Sequence, residues 1–157
     1  LKKSDPKVDL AKECFQNAIN ISYGCNIPAI YSLGRLLRAC EETDEALKRF
    51  NQITHQTSKE AFPKSNGEEL QGHHEYLSTV TKAYEQAGYC LLDLAKGTGK
   101  TKEDCEILKT KAEQKFLKAI SLTATLCNIH PEIKRYEMQI FKAFTILEDQ
   151  YEETKES

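Results

Sequence analysis

Residues 30–53 read Ile30-Tyr-Ser-Leu33-Gly34-Arg-Leu-Leu37-Arg-Ala-Cys40-Glu-Glu-Thr-Asp-Glu-Ala46-Leu-Lys-Arg-Phe50-Asn-Gln-Ile53. Apolar residues recur at Ile30, Leu33, Leu37 and Cys40, then at Ala46, Leu47, Phe50 and Ile53. Steps of three and four are the period of a helix with one buried face. Glu41-Glu42-Thr43 separates the two runs, and Thr43 or Asp44 offers an N-cap to the second. Helices joined by so short a turn lie antiparallel. Gly34 and Ala46 are small where two such helices approach most closely, and Phe50 is expected to fill the space towards a neighbouring hairpin.

Outward from this hairpin the same period continues. Residues 8–22 place Leu10, Cys14, Phe15, Ala18, Ile19 and Ser22 on one stripe, with Asp5-Pro6 as its start and Gly24 suited to a left-handed cap. The next helix covers 27–40, entered at Pro28, and the third ends near Gln56. Residues 57–68 are polar, contain Pro63 and Gly67, and read as a long loop. A long helix follows over 69–95, through Tyr76, Leu77, Val80, Ala83, Tyr84, Ala87, Leu91 and Leu94, and Gly97-Thr98-Gly99 ends it. A fifth runs from Thr101 or Lys102 to about Cys127, with Ile107, Leu108, Ala112, Phe116, Ala119, Ile120, Thr123 and Leu126 inward. After His130-Pro131, a sixth extends over 132–153 with Ile133, Tyr136, Ile140, Phe141, Phe144 and Leu147 inward. No segment sustains the alternation of a strand, so the fold class is all-α, one domain of about six helices over 1–157.

Three segments share a finer pattern. Ala11-x-x-x-Phe15-x-x-Ala18, Ala46-x-x-x-Phe50-x-x-Ile53 and Ala112-x-x-x-Phe116-x-x-Ala119 are each small, then Phe, then small or aliphatic. The first two are offset by 35 residues at all three positions. Ahead of the second copy stands Ile30-x-x-Leu33-Gly34-x-x-Leu37, and ahead of the third Tyr84-x-x-Ala87-Gly88-x-x-Leu91. With these residues the chain resembles the tetratricopeptide repeat (TPR) family. Ile30 stands at the family's Trp position, Leu37 at its Tyr position and Ser58 at its closing Pro. The likeness covers 8–57 as a regular region and 75–127 as a stretched repeat, because Gly88 to Ala112 is 24 residues and Gly34 to Ala46 is 12. Both long helices within 69–155 are therefore expected to be elongated. The resemblance implies hairpins stacked as a right-handed superhelix, with the first helix of each hairpin lining a concave groove.

Composition agrees with helices. Seven Gly and four Pro in 157 residues are too few for a turn-rich β-sandwich. No stretch approaches the ~18 apolar residues of a membrane helix, so no membrane partner is expected. No signal peptide is visible, and a start at Leu1 rather than Met points to a piece of a longer protein. The formal charge of -2 gives no overall field for nucleic acid. Cys14, Cys25, Cys40, Cys90, Cys105 and Cys127 match no metal or redox spacing and read as reduced thiols of a cytoplasmic or nuclear protein. Of these, Cys14, Cys40, Cys90 and Cys127 sit among apolar neighbours and are expected to be buried.

Chemical motifs are sparse. Gly97-Thr98-Gly99-Lys100-Thr101 resembles the end of a phosphate loop, but Leu94 stands where the first Gly belongs and a helix precedes it. Cys127-x-x-His130 and His73-His74 are too few ligands for a metal centre. No catalytic signature occurs, so no enzyme activity, cofactor or metal is expected. Lys96, Lys100, Lys102, Lys109, Lys111, Lys115 and Lys118 give 96–118 a net +3, which reads as a solvated helix face.

Through the resemblance, Tyr31, Arg35 and Arg38 on the second helix and Lys82, Glu85 and Tyr89 on the fourth line the groove. Tyr and Arg are frequent binding anchors. The family's carboxylate clamp for chaperone tails has Lys and Asn where this chain has Tyr31 and Arg35, so that ligand is not expected. The expected function is a protein-interaction scaffold binding a peptide or partner protein. RNA binding, as in some TPR-like proteins of innate immunity, is the alternative, and a structural segment packed on flanking repeats is the third.

Overall fold

The computed structural model describes residues 5–57 and 69–129. Among them the chain forms α1 (Pro6–Ile21), α2 (Ile27–Ala39), α3 (Thr43–Thr57), α4 (Glu69–Ala95) and α5 (Lys102–Ile129), with no strand. Thr57, expected to open a loop over 57–68, ends α3; the rest of that loop and the expected sixth helix over 132–153 lie outside the described residues.

Local chemistry sets the ends. The Asp5 carboxylate accepts from the Lys7 N–H at 2.9 Å ahead of Pro6, and Asn26 Oδ1 accepts from the Ala29 N–H at 3.1 Å ahead of Pro28. Thr101 Oγ1 accepts from the Asp104 N–H at 3.1 Å and starts α5. The first two helices end in the same way. Gly24 N–H bonds the Ile19 carbonyl and Glu42 N–H bonds the Leu37 carbonyl, each at 2.9 Å. The left-handed residues of these caps are Tyr23 (φ 53°) and Glu41 (φ 62°). Gly24 is left-handed as expected (φ 79°), one residue after Tyr23, which is left-handed too and carries a steric cost that a glycine does not.

The helices pack in chain order, α1 on α2, α2 on α3, α3 on α4 and α4 on α5, and α2 also touches α4. One apolar cluster joins Ile19 of α1, Ile30, Leu33 and Leu37 of α2, Ala46, Phe50 and Ile53 of α3, Val80, Ala83, Ala87 and Cys90 of α4, and Leu122 of α5. A smaller one holds Leu91, Ala112 and Phe116.

Gly34 of α2 and Gly88 of α4 have the same job. A Cβ on Gly34 would stand 2.8 Å from Phe50 Cε1, and one on Gly88 2.7 Å from Phe116 Cζ. Each ring thus lies on the bare backbone of the glycine in its own hairpin. Phe50, expected to fill the space towards a neighbouring hairpin, shares a cluster with Val80, Ala83 and Ala87 of α4, and its ring also rests where a missing side chain leaves room for close contact.

Three further expectations are corrected. The buried edge of α1 runs through Val8 and Ile19, with Ala11, Phe15 and Ala18 half-buried; Leu10 (61% exposed) and Cys14 face outward. The stripe is rotated because α1 has only α2 as its main neighbour, so a narrow arc is covered. Ile107 is 48% exposed, while its neighbour Leu108 is the one that packs on the Leu91–Ala112–Phe116 cluster. Of the expected buried thiols, Cys40 and Cys90 are buried; Cys127 has no described side chain. The five described cysteines are free thiols, and burial pushes Cys90 up to about 12.

Candidate functional site

The groove residues read from the sequence converge between α2 and α4. Arg38, in the last turn of α2, reaches across to α4. Its Nε donates to Asp93 Oδ2 at 3.2 Å and its Nη1 to Gln86 Oε1 at 3.3 Å. Its guanidinium carbon lies 5.0 Å from the centre of the Tyr89 ring, within cation–π range. One turn earlier, the Arg35 guanidinium carbon lies 6.0 Å from the Tyr31 ring centre. Arg35, Arg38, Ala39, Gln86 and Asp93 line an open cleft of about 320 Å³.

Beneath the two arginines lie two aromatic stacks. Tyr31 packs its ring on Phe50 at 5.8 Å, and Tyr89 meets Phe116 edge-on at 5.3 Å. Each phenylalanine is fully buried against its glycine. The order from core to solvent is therefore glycine, phenylalanine, tyrosine, arginine in both hairpins, with Arg38 of the first hairpin completing the second stack.

Electrostatics follow from this layering. Burial raises both tyrosine pKa values above the ordinary phenol value. At Tyr89 the Glu85 carboxylate adds its charge and a hydrogen bond from the hydroxyl, while Arg38 opposes. At Tyr31 the nearby Arg35 opposes and Glu85 adds. The Glu85 charge thus acts on both rings. Lys82 is half-buried one turn before Glu85 on α4.

Five of the six expected residues, Tyr31, Arg35, Arg38, Glu85 and Tyr89, meet at this α2–α4 junction, and Lys82 lies beside them in sequence on the same stripe. Gln86 and Asp93 went unnoticed in the sequence. Positions 82, 86, 89 and 93 share one face of a helix, which was the available signal.

Other places offer less. A second cavity of about 320 Å³ sits among α1, α2 and α3 over Leu33 and Leu37. Its polar rim is largely satisfied: Lys12 Nζ bonds Glu42 Oε1 at 2.6 Å, and Arg49 Nη2 bonds Gln16 Oε1 at 3.0 Å. The basic stretch 96–118 is not wholly a solvated face. Lys115 is half-buried over the Tyr84 ring at 5.4 Å, and burial lowers its pKa. No group of three His, Cys, Asp or Glu side chains able to hold a metal occurs among the described residues, and His73, His74, Cys127 and His130 have no described side chains. Among the described residues no helix is long and apolar enough to cross a membrane.

No family model, curated protein or solved structure matches the chain.

Proposed function

We propose that the protein is a non-catalytic interaction scaffold of TPR-like design, working in the cytoplasm or nucleus, which binds a peptide or partner protein in the α2–α4 cleft. The observation that carries this reading is the convergence of Arg35 and Arg38 on one open cleft, each guanidinium lying over a tyrosine ring that packs on a buried phenylalanine. Anchors held in place before binding lose little entropy on binding. The contact order also supports the reading. The first helix of one hairpin, α2, touches the first helix of the next, α4, and α3 packs between the hairpins on α4. Stacked repeats have this pattern of neighbours.

RNA is less well served. Asp93 and Glu85 lie at the cleft, and the faces of Tyr31 and Tyr89 are already engaged by Arg35 and Arg38. Base stacking needs a free aromatic face. The structural reading draws support from α1, where Leu10, Ile21 and Tyr23 stay exposed at 61%, 80% and 95%. That end of the stack suits a further repeat, and the cleft remains open beside it.

The test is selection from a display library of 12-residue peptides on the immobilised full chain. Wild type is expected to enrich a sequence class that the Arg35→Glu/Arg38→Glu double variant, with wild-type circular dichroism, no longer holds. Equal enrichment by both proteins would remove the cleft from the function. A salt-steep shift of an oligouridine probe, lost in the same variant, would favour RNA.

A further inference from the structure

Among the described residues the exposed large hydrophobics are Leu10, Ile21, Tyr23, Ile107 and Leu117. The first three belong to α1 and the turn after it. Leu10, Cys14, Asn17 and Ile21 follow steps of four, three and four, and all are exposed. That spacing makes one seam along the helix, as in a coiled coil. Ile107 and Leu117 stand about 80° apart around α5 and make no seam. A helix of a further repeat would be met first by Phe15, which matches Phe50 in the repeat pattern. Phe15 lies about 140° around α1 from Leu10, so such a helix would leave the seam at its edge. Tyr23 is left-handed at φ 53°, and its ring is 95% exposed. A strained backbone thus presents an aromatic ring to solvent beside the seam.

We propose that α1 pairs with α1 of a second copy of this chain, antiparallel about a twofold axis between Cys14 and Asn17. The order of steps reads the same from either end, so Leu10 comes level with Ile21 of the second copy and Cys14 with Asn17. The flanks are complementary as well. Asp9, Glu13 and Asn20 lie on one side of the seam. Asn20 Oδ1 accepts from Gln16 Nε2 at 2.9 Å, which leaves its NH2 group as a donor. In the pair that group comes level with Ala11 of the second copy, between Asp9 and Glu13, so no like charges meet. Tyr23 comes level with Val8, where its ring lies beside the Lys7 stem and Leu10 of the second copy. Antiparallel helices also set opposite ends of their dipoles together, and parallel ones would not. Leu10, Ile21 and Tyr23 supply roughly 400 Å² of apolar face per copy. That lies below the about 1,200 Å² in total of a stable complex, so the dimer is reversible, on the order of 100 µM. The pairing covers α1 and the turn after it, leaves Arg35, Arg38, Gln86 and Asp93 clear, and is independent of what the cleft binds.

The test is sedimentation velocity of the 157-residue chain under reducing conditions. Wild type is expected to pass from monomer to dimer between about 1 and about 500 µM. Leu10→Lys and Ile21→Glu alter exposed positions, so each is expected to keep wild-type circular dichroism. Each alone is expected to weaken the dimer at least about tenfold, because a charge then faces an apolar side chain. An equimolar mixture of the two variants is expected to return to within about threefold of wild type, because in the antiparallel register the two new charges face each other. Wild type that stays monomeric throughout overturns the proposal and leaves the face to a flanking segment. A dimer that both variants keep overturns its placement on α1. A mixture no stronger than its separate components overturns the antiparallel register.

Discussion

The α2–α3 and α4–α5 hairpins solve the same packing problem with different lengths of chain. Sixteen residues separate Gly34 from Phe50, and 28 separate Gly88 from Phe116. Each ring nonetheless rests on its own glycine, at 2.8 and 2.7 Å from where a Cβ would stand. The extra length is unevenly shared. From Gly34 to the end of α2 is five residues, and from Gly88 to the end of α4 is seven. From the start of the second helix to the ring is seven residues in α3 and 14 in α5. The turn grows from residues 40–42 to residues 96–101. Both α4 and α5 are elongated, as expected, but between glycine and ring α5 takes most of the increase. The glycine–phenylalanine contact sets the level of each hairpin, and the turn absorbs the mismatch.

Removing the rings tests the contact most severely. Phe50→Ala should cost about 4 kcal/mol in urea unfolding and Phe116→Ala about 3, because Phe50 sits in the larger cluster and leaves the less collapsible void. A larger loss for Phe116→Ala would reverse the ranking of the two hairpins.

A smaller effect separates pairing from general crowding. Gly34→Ala and Gly88→Ala should each cost about 2 kcal/mol by overpacking. Phe50→Leu should recover about 1 kcal/mol in the Gly34→Ala background and nothing in the Gly88→Ala background, with Phe116→Leu doing the reverse. Equal recovery in both backgrounds would mean that the rings do not belong to separate glycines.

The turns should respond least, and with opposite signs. Gly99 has φ 82° with no atom within 4 Å of an added Cβ, so Gly99→Ala costs only backbone strain, about 1 kcal/mol. Glu41 has φ 62° in the short turn, so Glu41→Gly should stabilise by about 0.5 kcal/mol. A shift of the thermal midpoint in the same direction for both would show that the caps are not equivalent.

The glycines, the phenylalanines and the helix faces that carry Tyr31, Arg35, Arg38, Glu85 and Tyr89 were legible in the sequence because each occupies a fixed place in a helical period. What the rings touch was not. Periodicity gives the direction of a side chain from its own axis, and Phe50 inward suits either a neighbour or a glycine of the same hairpin. The α1 stripe failed for a related reason: Leu10 and Val8 both suit an apolar edge, and the choice depends on how wide an arc α2 covers. Asp93 was invisible as a partner of Arg38 because the pair spans 55 residues and exists only through the approach of α2 to α4.

Among the described residues each hairpin contains one enclosed thiol, Cys40 just past the end of α2 and Cys90 five residues before the end of α4, while Cys14 and Cys25 are open to solvent. The chain therefore carries two internal clocks. The order in which Cys40 and Cys90 become open to alkylation reports which hairpin parts first, with no label introduced and two exposed thiols as the reference for time zero.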